Sequence, residues 1–283
     1  MGPLTRRGAV LATVLALCAG VPAAASADPG LVAPAAAAPR VTVMTWNVWG
    51  AEDGVPSGWR KVLRSQRADI VSLQEICRIQ AITLQRQLRW EDDLDYMLIW
   101  RETNWHPFGC AGGHQGQAIL TRKGKVSVVP GSVERHEYRS SDSQKRGYVA
   151  LTADIAGQRV RILNTHPWND HDADDPDAWE KPTSNIKELA DRSKYWAAPQ
   201  ILTGDFNAVP RMVEPLYREG FRDAADPAPT PWTHPGRPTY KNMKLDYILY
   251  RGGPKTVGQT KVLYSPSSDH RLVLARFRLS GNP

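Results

Sequence analysis

Cysteine is scarce in this chain of 283 residues: Cys18, Cys77 and Cys110 are all there is. His106 and His114 flank Cys110, yet no zinc-ligand spacing joins them. The acidic run Asn169-Asp170-His171-Asp172-Ala173-Asp174-Asp175 lacks the Gly and Glu positions of an EF-hand loop. It reads first as a solvated loop and second as a structural Ca²⁺ site. No repeat and no second linker is visible. Beyond the N-terminal segment, nothing approaches the roughly 20 apolar residues that a bilayer-spanning helix takes.

That N-terminal segment reads as an export signal over residues 1–27. Arg6 and Arg7 precede the apolar run GAVLATVLALCAGV, and Ala25-Ser26-Ala27 offers a small-residue cleavage site. Thr5-Arg6-Arg7 suits twin-arginine export, ordinary Sec export fits as well, and an uncleaved anchor is the bland alternative. Residues 28–39, DPGLVAPAAAAP, form a Pro/Ala-rich lead-in. Residues 40–283 then suit one large domain, expected to be secreted and to act as a monomer. Removing two signal arginines takes the net charge from +7 to +7 − 2 = +5. That balance favours polyanionic or phosphate-bearing partners, and a merely soluble basic protein is the plainer account. Cys18 leaves with the signal, so Cys77 and Cys110 are expected to pair. Such a bridge closes a loop of about 34 residues and contributes roughly 3–4 kcal/mol in the chain-entropy model. Cys77 lies two residues after Glu75, so the bridge would also brace that carboxylate's backbone.

Strand-like runs are VTVMTW (41–46), 70–73, YMLIW (96–100), AILT (118–121), VSVV (126–129), YVALTADI (148–155), RVRILN (159–164), QILTGDFN and RLVLARFRL. Helical spacing covers about Trp59–Arg67, the stretch with Ile79, Ile82 and Leu88, and Asn185–Trp196. TYKNMKLDYILYRGG is hairpin-like. Many strands with few helices point to two packed sheets flanked by helices.

Polar residues at the ends of these apolar runs carry the chemistry. A carboxylate or imidazole beside a buried strand is costly unless it meets a metal or a partner. Glu75, closing LQEI, is the best metal-ligand candidate for a hard divalent ion, with Asn47 and Asp269 completing an oxygen-rich site. A solvated helix-start carboxylate is the plainer account of Glu75, and a turn residue that of Asn47. In Gly-Asp-Phe-Asn-Ala, alternation points Asp205 and Asn207 the same way, toward a water and a phosphate oxygen. An Asx turn explains the same pair. Asp246, inside the apolar Leu245-Asp246-Tyr247-Ile248, needs a partner. Hydrogen bonding to His270 would fix that imidazole's tautomer and raise its pKa, leaving it general base or electrostatic group. His166, in Asn164-Thr165-His166, is a second imidazole for the phosphate or leaving oxygen.

In this order, WNVWG, LQEI, GQAILT, NTH, GDFNA, LDYIL and SDH closely resemble the endonuclease/exonuclease/phosphatase superfamily over about residues 40–279. The resemblance implies a four-layer α-β-β-α sandwich of two mostly antiparallel sheets flanked by helices. It implies hydrolysis of a phosphate ester by in-line attack of water, with Mg²⁺ or Mn²⁺. By the same resemblance Glu75 is the metal ligand with Asn47 and Asp269 near the ion, and Asp205 positions the water. Asn207 and His166 contact the phosphate, Asp246 pairs with His270, and Arg146 is a further phosphate-binding candidate. Leu272 stands where many relatives carry Pro, and the acidic stretch after His166 is unusual. Nucleic acid is the expected substrate. The alternative is a sphingomyelinase- or phospholipase C-like enzyme on lipid head groups, with the aromatic segment Trp90–Phe108 meeting the surface. Core packing is the plainer account of that segment.

Overall fold

The computed structural model describes residues 38–50, 57–105, 110, 113–139, 145–169, 180–197, 199–226 and 236–279. The expected export signal, most of the expected lead-in, residues 106–109 and the acidic run from Asp170 lie outside them.

In chain order the elements are β1 (Arg40–Asn47), α1 (Ser57–Gln66), β2 (Ile70–Cys77), α2 (Arg78–Asp92), β3 (Tyr96–Trp105), β4 (His114–Arg122), β5 (Ser127–Val128), β6 (Glu134–Glu137), β7 (Gly147–Ile155), β8 (Gln158–His166), α3 (Glu180–Ser193), β9 (Gln200–Asp205), α4 (Glu214–Arg218), β10 (Arg222–Asp223), β11 (Asp246–Arg251), β12 (Pro254–Thr256), β13 (Lys261–Leu263) and β14 (Leu272–Leu279). One sheet runs β12-β14-β1-β2-β4-β3, with β13 also on β14; the other runs β10-β11-β9-β8-β7-β5, with β6 also on β7. The sheets are mixed: β1–β2 and β8–β9 are parallel, and the remaining pairs are antiparallel.

Strand alternation builds the layers. In β1, Val41 and Val43 enter the core between the sheets, whereas Met44 and Trp46 face the helices with Leu63 of α1 and Leu84 and Leu88 of α2. On the other side Tyr148, Ala150, Leu163 and Leu202 pack with Ile186 and Leu189 of α3. Three apolar cores between four layers give the expected α-β-β-α sandwich. Truncating a fully buried leucine such as Leu84 to alanine costs about 2–5 kcal/mol.

Two expected elements shift. VSVV forms a strand only at Ser127–Val128. α3 begins at Glu180, five residues before the expected start, because Pro182 sits in the first turn, where its missing N–H has no intrahelical role. The disulfide is present: Cys77 at the end of β2 is bonded to Cys110, with Cα atoms 5.5 Å apart.

Between the sheets the interior turns polar along the strands. Gln74 Nε2 donates to Thr45 Oγ1 (3.0 Å) and Asn164 Oδ1 (2.7 Å). Asn164 Nδ2 donates to the carbonyls of Leu73 and Ala118; Thr203 Oγ1 donates to Leu163 O and lies 2.6 Å from Ser72 Oγ. These bonds carry the polar interior toward one rim and offset most of its burial cost, although Gln74 Oε1 is left without a partner.

Candidate active site

The parallel pairs set the rim. Asn47 ends β1, Glu75 lies near the end of β2, His166 ends β8 and Asp205 ends β9. Asp246 opens antiparallel β11 directly opposite Asp205, and His270 stands two residues before β14. Six separate chain segments therefore deliver polar side chains to one end of the sandwich.

Asn47 is the hinge of this cluster. Its Nδ2 donates to Glu75 Oε1 (3.1 Å) and to Asp205 Oδ2 (3.0 Å), and its Oδ1 accepts from the Trp49 amide. His166 Nε2 lies 3.6 Å from Glu75 Oε1 and 3.7 Å from Asp205 Oδ2. His270 Nε2 approaches the same Asp205 oxygen at 3.7 Å. Arg146 Nη1 lies 2.9 Å from both ring nitrogens of His166, and its Nη2 donates to Asn169 Oδ1. The bond expected between Asp246 and His270 is present, 2.8 Å from Oδ2 to Nδ1.

The bonds of the Asp-Phe-Asn segment are those of the Asx turn. Asp205 Oδ1 accepts the Asn207 amide in an Asx turn, and its Oδ2 faces the imidazoles. Asn207 adopts φ 47° and gives its Nδ2 to Pro167 O, so it shapes the turn. Gly204 precedes it at φ 149°, where a Cβ would lie 2.1 Å from Thr165 O. Only glycine fits.

Glu75 sits at a break in register between Leu73 and Ile76, in the left-handed region at φ 56°. Such a conformation costs about 1–3 kcal/mol in a non-glycine residue. Surrounding bonds hold it: Glu75 O accepts from the Gly50 amide and from Gln115 Nε2, and the Cys77 bridge follows two residues later. The bulge turns the carboxylate to the rim.

Asp269 is the one expected site residue that the structure does not bring into the cluster. It is exposed, and among the described residues no bond joins it to Glu75 or Asn47. In a tight bend, adjacent residues face apart, and here His270 takes the inward position. Asp269 acts on the site through its charge, which helps hold the His270 proton.

Other contributors escaped the sequence. Tyr240 stacks on the His270 ring (centroids 4.6 Å apart, 28° between planes). Ser268 Oγ donates to Asn47 O and accepts the His270 amide, and Trp46 Nε1 donates to His270 O. Trp46 lies in WNVWG and Ser268 beside SDH, whereas Tyr240 lies in no recognised motif.

Electrostatically the rim is a cluster of crowded carboxylates. Burial raises the pKa of Glu75, with the Asn47 bond and Arg146 opposing it. Burial and then the Asp246 charge raise that of Asp205. Burial alone would lower His270, but Asp246 and Asp205 outweigh it and hold it up at about 10. Burial lowers the pKa of Arg146.

A buried carboxylate and a partly exposed one, both reluctant to ionise and joined through one amide, suit a divalent cation, which would restore their charged forms. Donor atoms of Asp205, Asp246 and His270 also lie within 4.8 Å of one another. Asp246 and His270 are already bonded to each other, whereas the Glu75 side chain is 23% exposed. Glu75 is therefore the carboxylate an ion arriving from solvent meets, with Asp205 beside it. Asn47, also expected near the ion, bridges the two.

The family model for the endonuclease/exonuclease/phosphatase family matches residues 44–270. No curated protein sequence matches the chain. Among solved structures, the human Nocturnin catalytic domain with bound sulfate is 19% identical, over 86% of this chain and 96% of that one, with a TM-score of 0.67. An endonuclease/exonuclease/phosphatase from Beutenbergia cavernae is 19% identical over 87% and 73%, at 0.66. Danio rerio TDP2 complexed with a single-strand DNA product is 15% identical over 84% and 98%, at 0.63. At these identities the structural likeness speaks for the fold alone. The sequence match, which runs from β1 to the imidazole at the rim, decides the matter: the chain belongs to the endonuclease/exonuclease/phosphatase family of metal-dependent phosphoester hydrolases.

Proposed function

We propose that this protein is an exported phosphodiesterase that cleaves nucleic acid with Mg²⁺ or Mn²⁺. The observation that carries the reading is Asp205 Oδ2, held by Asn47 and flanked at 3.7 Å by both His166 and His270. One carboxylate oxygen between two imidazoles is suited to orient a water and accept its proton. A bound divalent ion, held by Glu75 with Asp205 and Asn47 beside it, would neutralise charge on the phosphoryl oxygens. Asp269 is assigned a longer-range contribution to that ion. His270 gives Nδ1 to Asp246, so Nε2 faces the phosphate as the positive end of a carboxylate–imidazolium pair. Arg146 fixes the His166 ring and adds a cation on the other side. Preorganised charges of this kind act where the transition state builds negative charge.

Several features support nucleic acid. The chain from Asp28 carries +5 by the arithmetic above, and the TDP2 neighbour was captured with a DNA product. The lipid alternative draws little from the Trp90–Phe108 segment: Leu94, Tyr96 and Ile99 are buried, while Trp90 and Met97 are exposed. No helix among the described residues is long and apolar enough to cross a membrane. Export is supported by the N-terminal pattern and by the disulfide, a bond that persists in oxidising compartments. Asn169, the described residue that opens the acidic run, binds Arg146.

One assay separates the substrates: plasmid DNA, RNA and sphingomyelin vesicles offered side by side with Mg²⁺. Strand cleavage whose rate falls steeply with salt is expected. Release of phosphocholine with no strand cleavage would overturn the nucleic-acid reading.

A further inference from the structure

A second cluster of positive charge lies on the flank of the same rim. At the outer edge of the first sheet, strand β3 borders a cavity of about 480 Å³ lined by Arg78, Trp100, Arg101, Glu102 and Arg135. Three guanidiniums meet there from three elements: Arg78 from the start of α2, Arg101 from β3 and Arg135 from β6 of the other sheet.

Glu137 offsets part of the Arg101 charge at longer range. Among the described residues, none of the three forms an ion pair. Arg78 lies over the Trp100 ring, 5.9 Å from its centroid, and Arg135 gives only its Nε to Trp100 O (3.0 Å). Both are exposed. Arg101 is 6% exposed; it donates Nη2 to Lys145 O, and its Nη1 has no partner. Burial lowers its pKa to about 10, still charged at neutral pH. The one acid of the lining, Glu102, lies 3.1 Å from His114 Nδ1, an ion pair only where that imidazole carries a proton, so three guanidiniums face one carboxylate. Gathering three like charges around one hollow is unfavourable by itself, so the arrangement calls for an anion. Planar guanidiniums match phosphate oxygens, and an aromatic face beside them is the companion of a nucleobase.

Position ties this hollow to the active site. Ile76, next to Glu75, pairs with Gly116 on β4, and Gly116 pairs with Glu102 on β3. At about 4.8 Å per strand, the hollow is thus roughly 10 Å from the Glu75 backbone along one rim. Arg101 also holds the carbonyl of Lys145, the residue before Arg146.

We propose that Arg78, Arg101 and Arg135 form a second phosphate-binding subsite, which holds the backbone of a nucleic-acid strand extending beyond the bond being cut. The proposal rests on the phosphodiesterase reading of the site and adds to it a preference for polymers over small diesters.

The test uses the double variant Arg78→Gln/Arg135→Gln, two exposed side chains whose removal leaves the core and the rim untouched. With Mg²⁺, KM for single-stranded DNA is expected to rise about tenfold with kcat held, and the salt slope to fall by about one to two. Turnover of bis(4-nitrophenyl) phosphate stays at the wild-type value. An unchanged KM for DNA, or an equal loss on both substrates, overturns the subsite. A second arm does not depend on the substrate assignment: millimolar inorganic phosphate raises the Tm of the wild type more than that of the double variant. Equal shifts overturn the subsite even if DNA is cleaved. A larger shift in the wild type upholds the subsite, even if cleavage is confined to the small diester and the nucleic-acid reading alone fails.

Discussion

Asp246 Oδ2 lies 2.8 Å from His270 Nδ1, and both side chains are buried. The pair links the first residue of β11 to the bend before β14, so it closes the rim mechanically and sets the charge on an imidazole. Its pH signature has a definite sign. Burial lowers the His270 pKa, but Asp246 and Asp205 hold it at about 10 against 6.5 when unfolded. The stabilisation is therefore complete below pH about 6.5 and is lost as pH rises through about 10. In EDTA, urea unfolding of the wild type is expected to weaken by a few kcal/mol across that window, and the loss should be shallower in Asp246→Asn. Parallel curves for the two proteins would contradict the linkage.

Asp205 is costly to the fold and central to the chemistry. Burial and the neighbouring Asp246 both disfavour its charge. Asp205→Asn keeps the shape and removes that charge, so Tm measured in EDTA is expected to hold or rise. Phosphodiester turnover should fall by about 10²–10⁴. Retained turnover would remove Asp205 from its proposed role.

Much of this was legible in the sequence because the site residues punctuate apolar strands. A buried Asp246 in Leu-Asp-Tyr-Ile demands a partner, and His270 was the partner found. Short edge strands were not legible. β6 (Glu-Arg-His-Glu), β10, β12 and β13 are two to four residues long, and β6 and β10 are wholly polar; pairing with longer neighbours makes them strands. Tyr240 could not be read either, since its stacking on His270 depends on a contact thirty residues away. The left-handed Glu75 is invisible for a different reason: local preference argues against it, and only tertiary bonds impose it.

That conflict at Glu75 makes a prediction in which stability and function part. Glu75→Gly relieves φ 56° and removes a half-buried carboxylate, so urea unfolding in EDTA is expected to change little or to gain about 1 kcal/mol. Activity at saturating Mg²⁺ should be lost. Glu75→Gln keeps the strain and is expected to raise the Mg²⁺ concentration needed for half-maximal rate. A Glu75→Gly enzyme that stays active would show that the bulge serves packing alone.

The disulfide bears on the same carboxylate. Cys77 follows Glu75 by two residues on β2, and its partner Cys110 lies between β3 and β4, so the bridge pins the end of the bulged strand to the adjacent connection. Cys77→Ser/Cys110→Ser is expected to lose roughly 3–4 kcal/mol by urea unfolding, most of it from a less constrained unfolded chain. If the bridge also braces Glu75, the double variant needs more Mg²⁺ for half-maximal rate even where it is fully folded. A strictly entropic bridge predicts the same loss of stability with an unchanged Mg²⁺ response. Measuring both on one preparation tells the two accounts apart.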